Sequence, residues 1–183
     1  MPNTREELKR LAIAEIQHRG LHQLSFRTLA QKAGIKSSSV HYHFPEKSDL
    51  AAAVIAQYHA NFRAALEAID KAGGSARDKL DALLDIFLSV ADEGRHCLCG
   101  MMAADISALS DESGTLLEHY FLDLEAWVTN VVQQSDPPLR TDIPPAQLAR
   151  IVVSGLEGAL LLDRINHQRE RLEAQRALLS SFF

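Results

Sequence analysis

The chain has 183 residues, a length too short for two full catalytic domains. Of these residues 46% are hydrophobic and 23% are charged, which is typical of a globular protein. We expect no secretory signal at its start, and no apolar run approaches the roughly 20 residues of a membrane span, so we expect a cytoplasmic protein. The net charge of −5 is unevenly placed, since residues 1–50 hold eight Lys and Arg against five Asp and Glu. This basic first part permits binding to a phosphate backbone.

The spacing of apolar residues predicts an all-α protein of about nine helices, because no segment alternates apolar and polar residues as a strand would. The predicted helices cover about 5–19, 25–33, 37–44, 47–72, 75–93, 97–109, 116–134, 146–166 and 168–179. Gly20, Gly34 and Gly94 are expected to end helices, and Ser25 is a typical N-cap. The segment 110–114 is predicted to be a loop. Residues 1–50 are predicted to form one domain and residues 51–183 a second.

The most informative segment is 25–44, in which the second and third predicted helices meet at a tight turn. Ala30 supplies a small residue at the crossing, Gly34 the bend, and Val40 an apolar contact, at the spacing of a helix-turn-helix. With Val40 and Phe44 facing inward, the third helix leaves serine, histidine and tyrosine side chains to project, and none of them is acidic. This pattern predicts a helix that enters the major groove of duplex DNA.

Residues 5–55 resemble the head of the tetracycline-repressor (TetR) family, in which an Ala-x3-Gly turn precedes a short helix, an aromatic-x-His-Phe element and a lysine. The resemblance implies that Ser37, Ser38 and Ser39 face the bases and that Arg27, which can bind guanine through two hydrogen bonds, contacts a base or phosphate. It also implies that His41, Tyr42, His43 and Lys47 hold the DNA backbone. The DNA-binding candidates are Arg27, Thr28, Ser37, Ser38, Ser39, His41, Tyr42, His43 and Lys47. For Tyr42 and His43, packing inside the head is the alternative role.

The family resemblance further implies that the remainder of the chain dimerises through its last two helices, which form a four-helix bundle with those of a partner. The segment 151–162 supports this, because apolar residues surround most of the helix and small residues let another backbone approach. Packing within one chain is the alternative. The interface candidates are Ile151, Ser154, Gly155, Gly158, Leu162 and Leu172.

The resemblance also implies a ligand cavity enclosed by the fourth to seventh helices. Large apolar and aromatic residues on these helices are its candidates, with a role in the core as the alternative. They are Phe62, Phe87, Cys97, Met101, Met102, Tyr120, Phe121, Leu124 and Trp127. The expected effector is a small and largely apolar molecule, and neither a cofactor nor a metal is expected.

Two cysteines lie in the unusual segment 95–102, where a cation and an imidazole stand beside Cys97 at a predicted helix start. Such surroundings favour a thiolate, so a regulator that senses electrophiles or oxidants through Cys97 is one hypothesis. Two small packing cysteines are the simpler interpretation. Metal binding through His96, Cys97 and Cys99 is a third, weakened because neighbouring residues splay around a helix and no fourth ligand is evident.

Together these features predict a homodimeric transcriptional regulator, most simply a repressor that leaves a near-palindromic operator when a small effector binds. The long fourth helix is expected to transmit the effector signal by moving the heads out of register. Activation is the alternative sign of regulation. Catalysis is not expected, since no glycine-rich loop, nucleophile elbow or zinc-binding helix motif occurs. A helical adaptor that binds only protein is the distant alternative, and it would lack the steep salt dependence of DNA binding.

Overall fold

The computed structural model describes residues 4–166 and 168–183, and over these ranges the chain is helical without a strand. Its helices are α1 Thr4–Arg19, α2 Phe26–Ala33, α3 Ser37–His43, α4 Lys47–Ala72, α5 Ala76–Asp92, α6 Leu98–Ala104, α7 Asp111–Gln133, α8 Pro145–Asp163 and α9 Glu170–Ser180. Short 3-10 turns occur at Leu21–Gln23 and Ile106–Ala108. The prediction of an all-α protein with about nine helices is confirmed.

Local sequence accounts for the ends of several helices. Ser25 caps α2, because its Oγ accepts a hydrogen bond from the Thr28 amide at 3.1 Å. Ser75 caps α5 in the same way and completes a reciprocal pair with Asp78. Gly34 adopts the left-handed conformation that ends α2, with φ at 66°. The predicted boundaries at Ser25 and Gly34 are therefore confirmed.

The region between α6 and α7 differs from the prediction. α6 ends at Ala104 rather than near residue 109, and α7 begins at Asp111, so residues 111–114 of the predicted loop form the first turn of a helix and Ser110 directly precedes it. Ser110 Oγ accepts a hydrogen bond from the Ser113 amide at 3.3 Å, and two acidic residues occupy the first turn, where the helix dipole favours them. Serines and acidic residues are common in loops, but here they form an N-terminal capping sequence.

The chain forms two compact units. The first unit consists of residues 4–61 and 98–119, and the second of residues 62–97 and 120–183. Both helices α4 and α7 contribute to each unit, so the division falls inside helices. A pattern of apolar spacing continues through such a boundary without change, so it carries no information about these units. The two functional domains, residues 1–50 and 51–183, stay a prediction.

Each unit buries its own apolar side chains. In the first unit, buried residues come from α1, α2, α3 and α4, and α1 also packs against α6. In the second unit, α5, α8 and α9 pack against one another. Among the described residues, α8 is the one helix whose length and composition would also suit a membrane span, but core helices of soluble proteins share these properties.

Candidate functional site

The turn between α2 and α3 is fixed by hydrogen bonds and by buried side chains. The backbone amides of Gly34 and Ile35 both donate to the Ala30 carbonyl oxygen, the second at 3.0 Å. Val40 and Phe44 are completely buried. The inward face of α3 is therefore the one predicted.

The outward face of α3 carries most of the predicted DNA-binding residues. Ser37 and Ser38 are exposed, and Ser39 is half-buried. Tyr42 is 83% exposed, which is unusual for a large aromatic side chain. Its ring contacts His43 edge-on, with 5.2 Å between the ring centroids, and His43 is half-buried. A packing role therefore explains His43 better than Tyr42.

His41 links α3 to its two neighbours in sequence. Its ring meets the Phe26 ring of α2 edge-on at a centroid distance of 4.8 Å. Its Nδ1 lies 3.4 Å from the Pro45 carbonyl oxygen, in the connection to α4. The imidazole is nevertheless exposed at the surface of the first unit.

The remaining head candidates differ in their surroundings. Arg27 is exposed in the first turn of α2, whereas Thr28 is half-buried and its Oγ1 lies 2.7 Å from Ser25 Oγ. Lys47 is half-buried at the start of α4. Burial lowers the pKa of Lys47, and the negative charge of Asp105 partly opposes this shift. We expect Thr28 to serve mainly the cap of α2.

Lys36 was missed by the sequence-based candidate set. It directly precedes α3 and is exposed beside Ser37. A cation in front of the first residue of the predicted DNA-binding helix was a signal available in the sequence. By contrast, Lys32 and Arg10 form ion pairs with Glu15 and Glu7, so part of the positive charge of the head is neutralised internally.

The ligand candidates fall into both units. Five of them are buried in the second unit, namely Phe62, Phe87, Cys97, Tyr120 and Leu124. Two more are half-buried there, namely Phe121 and Trp127. The rings of Phe62 and Phe121 lie 5.2 and 5.1 Å from the Tyr120 ring, measured between centroids. These three residues form an aromatic cluster.

Three other ligand candidates have contacts that explain them structurally. Trp127 donates from Nε1 to Asp70 Oδ2 at 2.9 Å, and Asp70 also binds Lys79 at 2.7 Å, so this indole ties α7 to α4. Met101 and Met102 belong to the first unit. Met102 is completely buried, and the Met101 methyl group lies 3.5 Å from the position that a Cβ on Gly20 would occupy.

Cys97 is buried just before α6, and its described contacts differ from those assumed for a reactive thiol. Its Sγ lies 3.5 Å from the Tyr120 hydroxyl oxygen, and its side chain also forms a hydrogen bond with Glu157. A phenol and a carboxyl group do not stabilise a thiolate as a cation does. Thiol sensing therefore stays an untested hypothesis, with less physical support than the sequence suggested.

The interface candidates on α8 are only partly exposed. Ile151 and Leu162 are 50% and 45% exposed, and Ser154 is exposed as well. A Cβ on Gly155 would come within 2.7 Å of the Gln175 side chain on α9, so this glycine serves packing inside the unit, whereas a Cβ on Gly158 would meet nothing. Leu172 is completely buried within its own subunit. Its side chain has no surface to offer a partner, and we remove it from the interface.

The family model for bacterial regulatory proteins of the tetR family matches residues 10–54. A TetR transcriptional regulator from Legionella pneumophila has a similar structure, with a TM-score of 0.91, 31% identity, and coverage of 98% of this chain and 97% of that one. The transcriptional regulator AcuR from Cereibacter sphaeroides is 26% identical over 97% of this chain and 80% of its own length. The HTH-type transcriptional repressor DhaR from Mycobacterium sp. is 24% identical over 85% of this chain and 79% of its own. The chain therefore belongs to the TetR family and is a transcriptional regulator of that family.

Proposed function

We propose that two copies of the chain bind a near-palindromic operator in the cytoplasm, each with α3 in the major groove, and that a small effector releases the DNA. The observation that carries this proposal is the outward face of α3. Ser37, Ser38 and Tyr42 are exposed there, while Val40 and Phe44 anchor the opposite face. Small hydroxyl side chains permit close approach to base edges, and an exposed tyrosine can bind phosphate.

Cations around α3 supply the electrostatic part of binding. Arg27 is exposed on α2, Lys36 is exposed directly before α3, and Lys47 begins the following helix. Each phosphate that such a side chain neutralises releases a counterion, so the affinity should fall steeply as the salt concentration rises. A protein-binding adaptor would show no such dependence.

The Arg27→Ala variant tests the proposed contact surface. We expect it to weaken specific binding by about 1 to 3 kcal/mol, because the lost guanidinium contacts a base or a phosphate. Fluorescence anisotropy with a duplex that the wild-type protein selects from genomic fragments would measure the change. Arg77→Ala is the matched control, since Arg77 is an exposed arginine of the second unit. Equal affinities for the two variants would remove Arg27 from the contact surface.

Dimerisation is supported by an apolar face that the single chain leaves uncovered. Besides Ile151 and Leu162, this face includes Leu161 on α8 and the 79% exposed Ile165 just after it. Residues 151, 154, 158, 161, 162 and 165 recur at helical spacing along one side of α8. A symmetric partner would bury them, which is the usual solution for soluble oligomers.

Release by an effector requires that the ligand bind one state of the dimer better than another. A coupling free energy of about 1 to 3 kcal/mol would weaken operator binding several-fold to a hundredfold. α4 contributes residues to both units and is a continuous helix from Lys47 to Ala72, so it is our candidate for the coupling element. The relative DhaR is named a repressor, and repression is the sign of regulation that we propose for this chain.

A further inference from the structure

A small polar cluster lies among the apolar side chains of the second unit. Cys97 precedes α6, Tyr120 lies on α7 and Glu157 on α8. Cys97 contacts both other residues, with 3.5 Å between its Sγ and the Tyr120 hydroxyl oxygen and a hydrogen bond to Glu157. Three elements therefore bring three hydrogen-bonding groups to one place.

Glu157 is the unusual member of this cluster. Its Oε1 is sealed from solvent, and no group among the described residues forms a hydrogen bond with that atom. A buried acceptor without a partner is costly, and it calls for an explanation such as a molecule that binds there. Burial, and to a lesser extent the neighbouring Cys97, raises the pKa of Glu157 well above its ordinary value. Burial therefore stabilises the neutral form of this carboxyl group, and a positive charge beside it would stabilise the ionised form.

The surroundings of the cluster suit a cation better than an anion. The Tyr120 ring is flanked by the rings of Phe62 and Phe121, so the cluster has aromatic neighbours that bring no positive charge to an anion. Residues 51–183 hold eleven Lys and Arg against nineteen Asp and Glu, so the larger part of the chain repels anions.

We propose that Glu157, Tyr120 and Cys97 form the polar end of the effector site and that the effector is a small, mainly apolar primary amine bound as its ammonium ion. The inference rests on the proposed function, because it names the ligand class of that regulator. An ammonium group has three N–H donors, which match the carboxylate, the phenol oxygen and the thiol sulfur as acceptors. Binding gives Glu157 Oε1 a charge-assisted hydrogen bond, and the proton of the carboxyl group passes to solvent.

The test compares ligands that differ in their polar end. Binding of butylamine, hexylamine and phenethylamine to the intact protein is measured by calorimetry, with hexanol and hexanoate as comparisons of equal chain length. We expect an amine to bind, hexanol to bind weakly and hexanoate not at all. Glu157→Gln should weaken amine binding about tenfold to a hundredfold, because a charge-assisted hydrogen bond becomes a neutral one.

Two further variants make the result specific. Glu118→Gln removes the same charge from an exposed position of α7 and should bind the amine as the wild type does. Tyr120→Phe keeps the aromatic ring and removes one acceptor, so it should also weaken amine binding. It replaces Glu157→Gln as the test variant if Glu157→Gln does not fold. The inference is overturned if no amine binds, if hexanoate binds as well as hexylamine, or if both site variants keep wild-type affinity.

Operator binding without any ligand separates this inference from the proposed function. A wild-type protein that binds its operator but none of the amines contradicts only the ligand class. A wild-type protein that binds no duplex specifically contradicts the proposed function. Amine binding that depends on Glu157 would still support the site in that case.

Discussion

Asp163 is a buried carboxylate that joins the end of α8 to the start of α9. Its oxygens accept hydrogen bonds from the backbone amides of Arg171 and Leu172, at distances of 3.1 to 3.2 Å. The Arg171 guanidinium also binds Asp163 at 3.0 Å. The carboxylate thus satisfies amides in the first turn of α9 while its own charge is balanced.

The Asp163→Ala variant should therefore unfold more easily than the wild type. We expect a loss of about 2 kcal/mol in the free energy of unfolding, since a cap and a charge-assisted hydrogen bond disappear together and Arg171 is partly solvated. Urea denaturation followed by circular dichroism measures this loss. Glu170→Ala, at an exposed position of the same turn, should change the value by less than about 0.5 kcal/mol. Similar losses for both variants would contradict the capping role.

Glu157 should make stability depend on pH. Burial first, and Cys97 second, raises the pKa of Glu157 above its ordinary 4.5, so the folded chain holds this proton more tightly than the unfolded chain. The resulting stabilisation is complete below about pH 4.5 and is lost as the pH rises through the folded value. The titratable side chain in described contact with Glu157 is that of Cys97, and Tyr120 contacts Cys97 in turn.

Glu157→Gln does not titrate and should escape this loss. We expect its melting temperature to equal that of the wild type near about pH 4 and to exceed it increasingly towards about pH 8. Thermal unfolding across this range, without ligand, gives the comparison. A difference that stays constant with pH would show that the carboxyl group is not perturbed.

At the scale of elements, the α2–α3 turn depends on the backbone of Gly34. No atom lies within 4 Å of the position that a Cβ would occupy, so Gly34→Ala meets strain only from its positive φ of 66°. We expect a loss of about 1 kcal/mol in the free energy of unfolding. Gly114 lies in helix α7, where an added Cβ would make only an ordinary contact with the Ile106 side chain at 3.9 Å, so Gly114→Ala should stabilise the protein instead. Denaturant titrations that give both changes the same sign would contradict this account.

Helix ends were predictable where one residue type has one common use. Gly34 and Ser25 illustrate this, because a left-handed glycine and an N-cap serine leave a clear pattern between apolar runs. The segment 110–114 was mistaken for a loop because the residues that cap a helix are also those that favour loops. In the folded chain Ser110 caps this helix. The spacing of apolar residues does not distinguish a capping serine from a serine in a turn.

The candidate site likewise has features that the sequence predicted and one that it did not. The outward face of α3 followed from two buried apolar positions, so local periodicity was sufficient. Glu157 was missed, although an acidic residue in the otherwise apolar run 151–162 was a visible signal. Its meaning depends on Cys97 and Tyr120, which come from distant parts of the sequence, and only the folded chain brings them together.

At the scale of the whole molecule, the exposed face of α8 predicts the oligomeric state. Leu162→Glu places a charge on that face and should convert a dimer into monomers, because an unpaired charge is costly in a buried interface. Leu122→Glu is the matched control, since Leu122 on α7 is 51% exposed, close to the 45% of Leu162. Sedimentation equilibrium distinguishes the two masses. A monomeric wild type, or a dimeric Leu162→Glu variant, would contradict this interface.

Two copies of α3 that act together must read two half-sites. Selection of bound sequences from a random duplex pool tests this most directly, because it requires no knowledge of the natural operator. We predict recovery of a near-palindrome whose half-site centres lie about one helical turn of DNA apart, or a multiple of that distance. Substituting Tyr42 and Ser38 together should abolish the enrichment. Recovery of a single unpaired half-site, or of no sequence at all, would contradict the account.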